Sequence, residues 1–121
     1  MKTSYTFIED IDNVLHRLGD SDAMLDHLLA KFRDKYHDTP VRLIELLEHD
    51  KQEEAFSLVH SIKGVSGNLG METLYQDSLL LESCLRNKDS DLLSTKRDVF
   101  ISELKKILVE LDTVFCDAPQ V

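Results

Sequence analysis

Apolar residues in this chain recur at intervals of three and four, in segments separated by short polar turns, and no segment shows the period-two alternation of a half-buried strand. That spacing restricts the chain to packed helices. Ile8, Ile11, Val14, Leu15 and Leu18 predict a short first helix over 8–18, with Gly19 closing it just past the C-terminus. Residues 1–7 read as a loose leader. Asp20 or Ser21 suits the N-cap of a second helix, whose stripe is Leu25, Leu28, Leu29, Phe32 and Tyr36. Thr39 reads as a cap before Pro40, whose missing N–H costs nothing at the start of a helix. The apolar segment from Val41 to Leu47 then either continues the second helix after a kink or stands alone. Asp50 marks the break before a helix over 51–68. After Gly70 comes the seam Met71, Leu74, Ser78, Leu81 and Leu85, then a turn over 87–90. The last helix, 91–115, carries Leu92, Val99, Phe100, Leu104, Ile107, Leu108, Leu111 and Val114 on its apolar side, and 116–121 read as a frayed tail. Short turns between successive helices imply antiparallel neighbours. The predicted fold is therefore all-α: one domain, an antiparallel up-down four-helix bundle over 21–115 with an additional short N-terminal helix.

One of these helices is unusual. Over 56–70, three of the chain's four glycines fall within the last seven residues, although the surrounding spacing is helical. At 100° per residue, Ala55, Leu58, Ile62, Val65 and Leu69 gather on one side. His60 points away from them, and Glu53, Phe56, Ser57, Lys63, Gly64 and Gly67 share its side. A helical glycine costs roughly 0.8–1.0 kcal/mol relative to alanine. Gly64 and Gly67 lie on the outer side, so the expected reason for them is an external body approaching the backbone beside His60.

The run His60-Ser-Ile-Lys63-Gly64-Val-Ser-Gly67-Asn68-Leu-Gly70 resembles the signature of the histidine-containing phosphotransfer (HPt) domain of bacterial phosphorelays. The segment from Ile11 to Gly19 also looks like the amino-terminal part of HPt domains at the ends of hybrid sensor kinases. The resemblance implies a helical bundle, His60 as phosphoryl acceptor, and a response-regulator receiver domain as partner, with a hybrid sensor kinase as a second candidate partner. It implies no intrinsic cofactor or metal, the divalent ion (such as Mg2+) being held by the receiver. Lys63, three residues after His60, reaches a phosphoryl oxygen from the same helix surface. Phe56, Ser57, Gly64, Gly67, Asn68 and Gly70 form the expected close-approach and docking set. Asn68 either caps the helix end or lies near the site, and Phe56 is either core edge or docking surface, its place beside His60 favouring docking. Glu82 and Arg86 match the positions from which the next helix supports the phosphohistidine in family members. Arg86 suits a second cation. Glu82 departs from the glutamine of the family pattern: a carboxylate repels a phosphoryl group, unless it orients the imidazole N–H instead.

Charge and composition narrow the alternatives. With 14 basic against 23 acidic residues, the net charge of −9 disfavours nucleic acid and an anionic membrane surface as partners. No apolar run approaches the length of a spanning helix, and the first residues lack a signal peptide's apolar middle. Cys84 and Cys116 are far apart and in no metal-like spacing, as for two unpaired thiols in a reducing cytoplasm. A cytoplasmic monomer is the expectation. A di-iron bundle needs paired Glu-x-x-His motifs; Glu45 with His49 and Asp34 with His37 are not such pairs. A kinase needs a nucleotide loop and an ATP-binding domain, and neither is present. The remaining rival is a helical interaction module that docks a receiver-like partner through the His60 face without carrying phosphate.

Overall fold

The computed structural model describes residues 5–115, and among them every regular element is a helix. There are six: α1 (Ile11–Arg17), α2 (Asp22–Tyr36), α3 (Thr39–Glu48), α4 (Gln52–Asn68), α5 (Glu72–Asn87) and α6 (Ser90–Val114). The four longest are α2, α4, α5 and α6. The α4–α5 and α5–α6 pairs pack most extensively, α2 rests on α6, and α3 fits against α4 and α6. The short turns between α4 and α5 and between α5 and α6 set these closely packed neighbours antiparallel. The fold is thus the expected bundle with the short α1 added, and α3 is a separate helix. No helix among the described residues is long and apolar enough to cross a membrane.

Local chemistry sets the boundaries. The side chains of Asp10, Ser21 and Asp89 cap α1, α2 and α6, accepting from the N–H of Asn13, Met24 and Leu92 at 3.1, 3.0 and 3.3 Å. Each bond satisfies a donor with no partner inside its helix. At α3 the cap is Asp38 rather than Thr39; Thr39 is the first helical residue, and its side chain is buried. Four helices end alike, with an N–H reaching back five residues past a left-handed residue: Asp20 to Leu15 O, Lys51 to Leu46 O, Met71 to Ser66 O, and Asp89 to Cys84 O, at 2.7–3.0 Å. The left-handed residues passed over are Gly19, Asp50, Gly70 and Lys88, and Asp20 after Gly19 is left-handed as well. At Lys88 an L side chain sits at φ 53°. Lys88→Gly is therefore expected to stabilise the protein by about 0.5–1 kcal/mol, relief of side-chain strain exceeding the added chain entropy. Urea denaturation checks it, and an unchanged or lower midpoint refutes it.

Three expectations need correction. Residues 5–7 are no loose leader: Tyr5, Phe7 and Ile8 are buried. The Tyr5 hydroxyl donates to Asp26 on α2, and Thr6 donates through its N–H and hydroxyl to Glu110 on α6. This strap packs without helical periodicity, so the wheel gave no sign of it. Burial, with the Asp26 carboxylate beside it, pushes the Tyr5 hydroxyl above the usual tyrosine range. On α6, Leu92 and Val99 are 48% and 46% exposed, while Ile101 is buried in their place. The buried side of α4 is also turned: Val59 and Ser66 are fully buried, whereas Leu58 and Val65 are only partly so. The turn brings small polar residues to the α4–α5 seam. The Ser66 and Ser78 hydroxyls are satisfied by the carbonyls of Lys63 and Leu74, at 3.0 and 2.7 Å. The tail, 116–121, lies outside the described residues, and Cys84 is a buried free thiol.

Candidate functional site

His60 stands mid-way along α4 with its side chain 60% exposed, on the outer side as the spacing predicts. The rotated α4 carries Lys63 towards α5, where Glu82 projects from the facing side. Glu82 is 1% exposed, an unusual place for a carboxylate. Its burial is matched by partners. Oε2 lies 2.5 Å from His60 Nδ1; Oε1 accepts from Lys63 Nζ at 2.8 Å and from Arg86 Nη2 at 3.4 Å. Burial alone would raise the Glu82 pKa, but the hydrogen bonds and charges of Lys63 and His60 outweigh it and hold the carboxyl below the usual glutamate range.

Glu82 is accordingly ionised at neutral pH, and an ionised carboxylate only accepts hydrogen bonds. The proton shared with His60 therefore belongs to Nδ1. With the Nδ1 proton so placed, the lone pair left for chemistry on this exposed ring is that of Nε2. Both carboxylate oxygens are engaged, one by the imidazole and one by two cations.

Phe56 lies at the edge of the core and beside His60. It is partly buried against the core, and its ring stacks on the imidazole with centroids 5.9 Å apart and planes 10° from parallel. The Arg86 guanidinium lies 5.4 Å from the Phe56 ring centre, so Arg86 touches both the carboxylate and the aromatic plate. His60, Phe56, Lys63, Glu82 and Arg86 form one cluster.

The glycines separate into distinct roles. A Cβ built on Gly64 would meet nothing within 4 Å, so the surface one turn beyond His60 is bare. At Gly67 a Cβ would come 3.2 Å from the Tyr75 ring, so close packing against this protein's own α5, unforeseen in the sequence, is one reason for that glycine. Gly70 serves the fold: its φ is 72° and a Cβ would lie 2.6 Å from Val14, where α1 covers the α4–α5 turn. Asn68 ends α4 beside a cleft lined by Leu28, Phe32, Tyr36 and Val65, away from the cluster. Ser57 is exposed one turn before His60, at a groove shared with Arg42 of α3. Two contributors escaped the sequence reading. Tyr75 shares the α5 face of Glu82 at a spacing of seven, a signal that was there to use. The buried Tyr36 hydroxyl bonds Ser61, next to His60, at 2.7 Å, a cross-helix pairing with no sequence signature. No group of three or more His, Cys, Asp or Glu placed to hold a metal occurs among the described residues.

The family model of the Hpt domain matches residues 27–114, which is most of the chain and takes in α3 to α6 entire. A search of the curated proteins and a search of the solved structures each returned no match.

Proposed function

The chain belongs to the Hpt domain family, whose members serve histidine-containing phosphotransfer in two-component signalling, and on that premise we propose that His60 is the phosphoryl acceptor of a phosphorelay. It takes the group from the aspartyl phosphate of a receiver domain and passes it to another response regulator. The single observation supporting this most directly is the Nδ1–Glu82 contact on an otherwise exposed ring, because it presents Nε2 outward with its lone pair free.

In the forward step the Nε2 lone pair attacks phosphorus. The bond from phosphorus to the donor carboxylate oxygen breaks, and its electron pair returns to that carboxylate. Such transfers depend on alignment and on neutralising charge that spreads over the phosphoryl oxygens. Phe56 fixes one face of the ring, Glu82 fixes its tautomer, and Lys63 lies one turn away to meet a phosphoryl oxygen. Gly64 leaves room for the receiver's loops and for the divalent ion that the receiver holds. Family members act as phosphocarriers rather than kinases, so the protein is a carrier that depends on its partners for the rest of the active site.

Incubation with a phosphorylated receiver domain tests this. A label that is acid-labile and base-stable is expected on the wild type and absent from His60→Gln. Label persisting in that variant would remove His60 from the mechanism, and no label on a well-folded wild type would favour a purely docking role.

A further inference from the structure

We infer that Glu82 also governs the return step: by holding the Nδ1 proton on phosphorylated His60, it keeps the ring a neutral leaving group and sets the pH range over which the protein discharges. This rests on His60 carrying the phosphoryl group at Nε2. In discharge, a carboxylate oxygen of the receiver's aspartate forms a bond to phosphorus and the Nε2–P bond breaks, its electron pair going to Nε2. With Nδ1 protonated, the ring departs as neutral imidazole. With Nδ1 deprotonated, it has to depart as imidazolate, a far stronger base and a poor leaving group. Whether that proton stays is therefore a control on discharge distinct from the approach of the receiver.

The geometry favours retention. Oε2 is committed to Nδ1 at 2.5 Å because Oε1 is occupied by Lys63 and Arg86. Glu82 is 1% exposed, so water competes weakly for the bond. The charged groups facing this pair are Lys63 from α4 and Arg86 from α5. Glu53 lies two turns before His60, and Arg42 of α3 borders the same groove near Ser57. Lys63 and Arg86 both oppose a positive ring, and Glu82 is the carboxylate in contact that offsets them. In Glu82→Gln the amide still accepts a hydrogen bond, but the carboxylate's offset to Lys63 and Arg86 is gone. The proton then leaves at lower pH.

The experiment loads wild type and Glu82→Gln from a phosphorylated receiver, then follows discharge to a receiver domain from pH 6 to pH 9. Taking the ratio of variant to wild type cancels the receiver's own titration. Removing an opposite charge in contact moves a titration by about one unit, so the ratio is expected to fall about tenfold across the window. Nitrogen NMR of phosphorylated wild type supplies a readout that does not depend on the variant folding. The bonded Nδ1 should keep its proton to higher pH than that of free phosphohistidine. A flat ratio, or a midpoint no higher than that of the free compound, overturns the inference. A wild type that takes no label at all overturns the carrier reading, and this inference with it.

Discussion

Gly64→Leu is expected to slow transfer between His60 and a receiver domain by about a hundredfold, because displacing reacting groups by about 1 Å costs that much. A leucine there projects from the helix face one turn beyond His60, over the space where the structure leaves a Cβ untouched within 4 Å. Nothing in the protein's own interior opposes it. Leucine is moreover the better helix former by about 0.5–1 kcal/mol, so the variant should be at least as stable as the wild type. Opposite signs for stability and transfer are the distinguishing outcome. Thermal denaturation alongside transfer kinetics reads both, and a variant that transfers at the wild-type rate would sink the close-approach account of Gly64.

Gly70→Ala should fail in the reverse way. The residue sits at φ 72°, and the new methyl would lie 2.6 Å from Val14 Cγ2 and 3.4 Å from Ile8 Cγ2. A left-handed L-residue costs about 1–2 kcal/mol, and forcing a buried contact apart costs about 1–3 kcal/mol. The narrower unfolded ensemble of alanine returns about 0.4–1 kcal/mol. A net loss of about 2–3 kcal/mol is expected, lowering the melting temperature by about 10 °C in a domain of this size. The affected contacts join α1 to the α4–α5 turn and lie apart from His60, so transfer by the folded fraction at low temperature should change little. A melting temperature within about 2 °C of wild type, less than the shift for 1 kcal/mol, would mean that α1 yields easily and that Gly70 is not a packing requirement.

These two neighbours in one motif illustrate what spacing alone can and cannot separate. Both are glycines following a histidine at short range, and both were expected to serve docking. One faces open solvent and the other faces Val14. The difference arises because the turn after α4 brings α1, distant in sequence, over Gly70, and no local pattern encodes that approach. Gly67 is intermediate, exposed yet touching Tyr75 of α5. Phe56 likewise resisted assignment to core or surface because it belongs to both, seated on the core while stacked against the imidazole.

Glu82 is the sharper case. Considered as a residue type beside a phosphate, a carboxylate is a liability. Its effect depends on which donors reach it, and those come from α4 at one spacing and from α5 at another. Lys63 is nineteen positions away and His60 twenty-two, yet both lie within hydrogen-bond distance of it. Once they are in place, the same charge fixes a tautomer and steadies two cations.

By itself the sequence determined the all-helical fold, most helix boundaries and the outward face of His60, because these follow from a repeat of 3.6 residues and from capping chemistry that acts within a few positions. Whether α3 stood apart from α2 it left open. Tertiary structure alone decided the burial of Tyr5 and Phe7, the rotation that buries Ser66 and Val59, and the state of the imidazole. Those depend on which surfaces meet when α4 and α5 close together and the strap crosses α2 and α6. Such meetings are set by shape and charge between residues far apart along the chain, where helical periodicity carries no information.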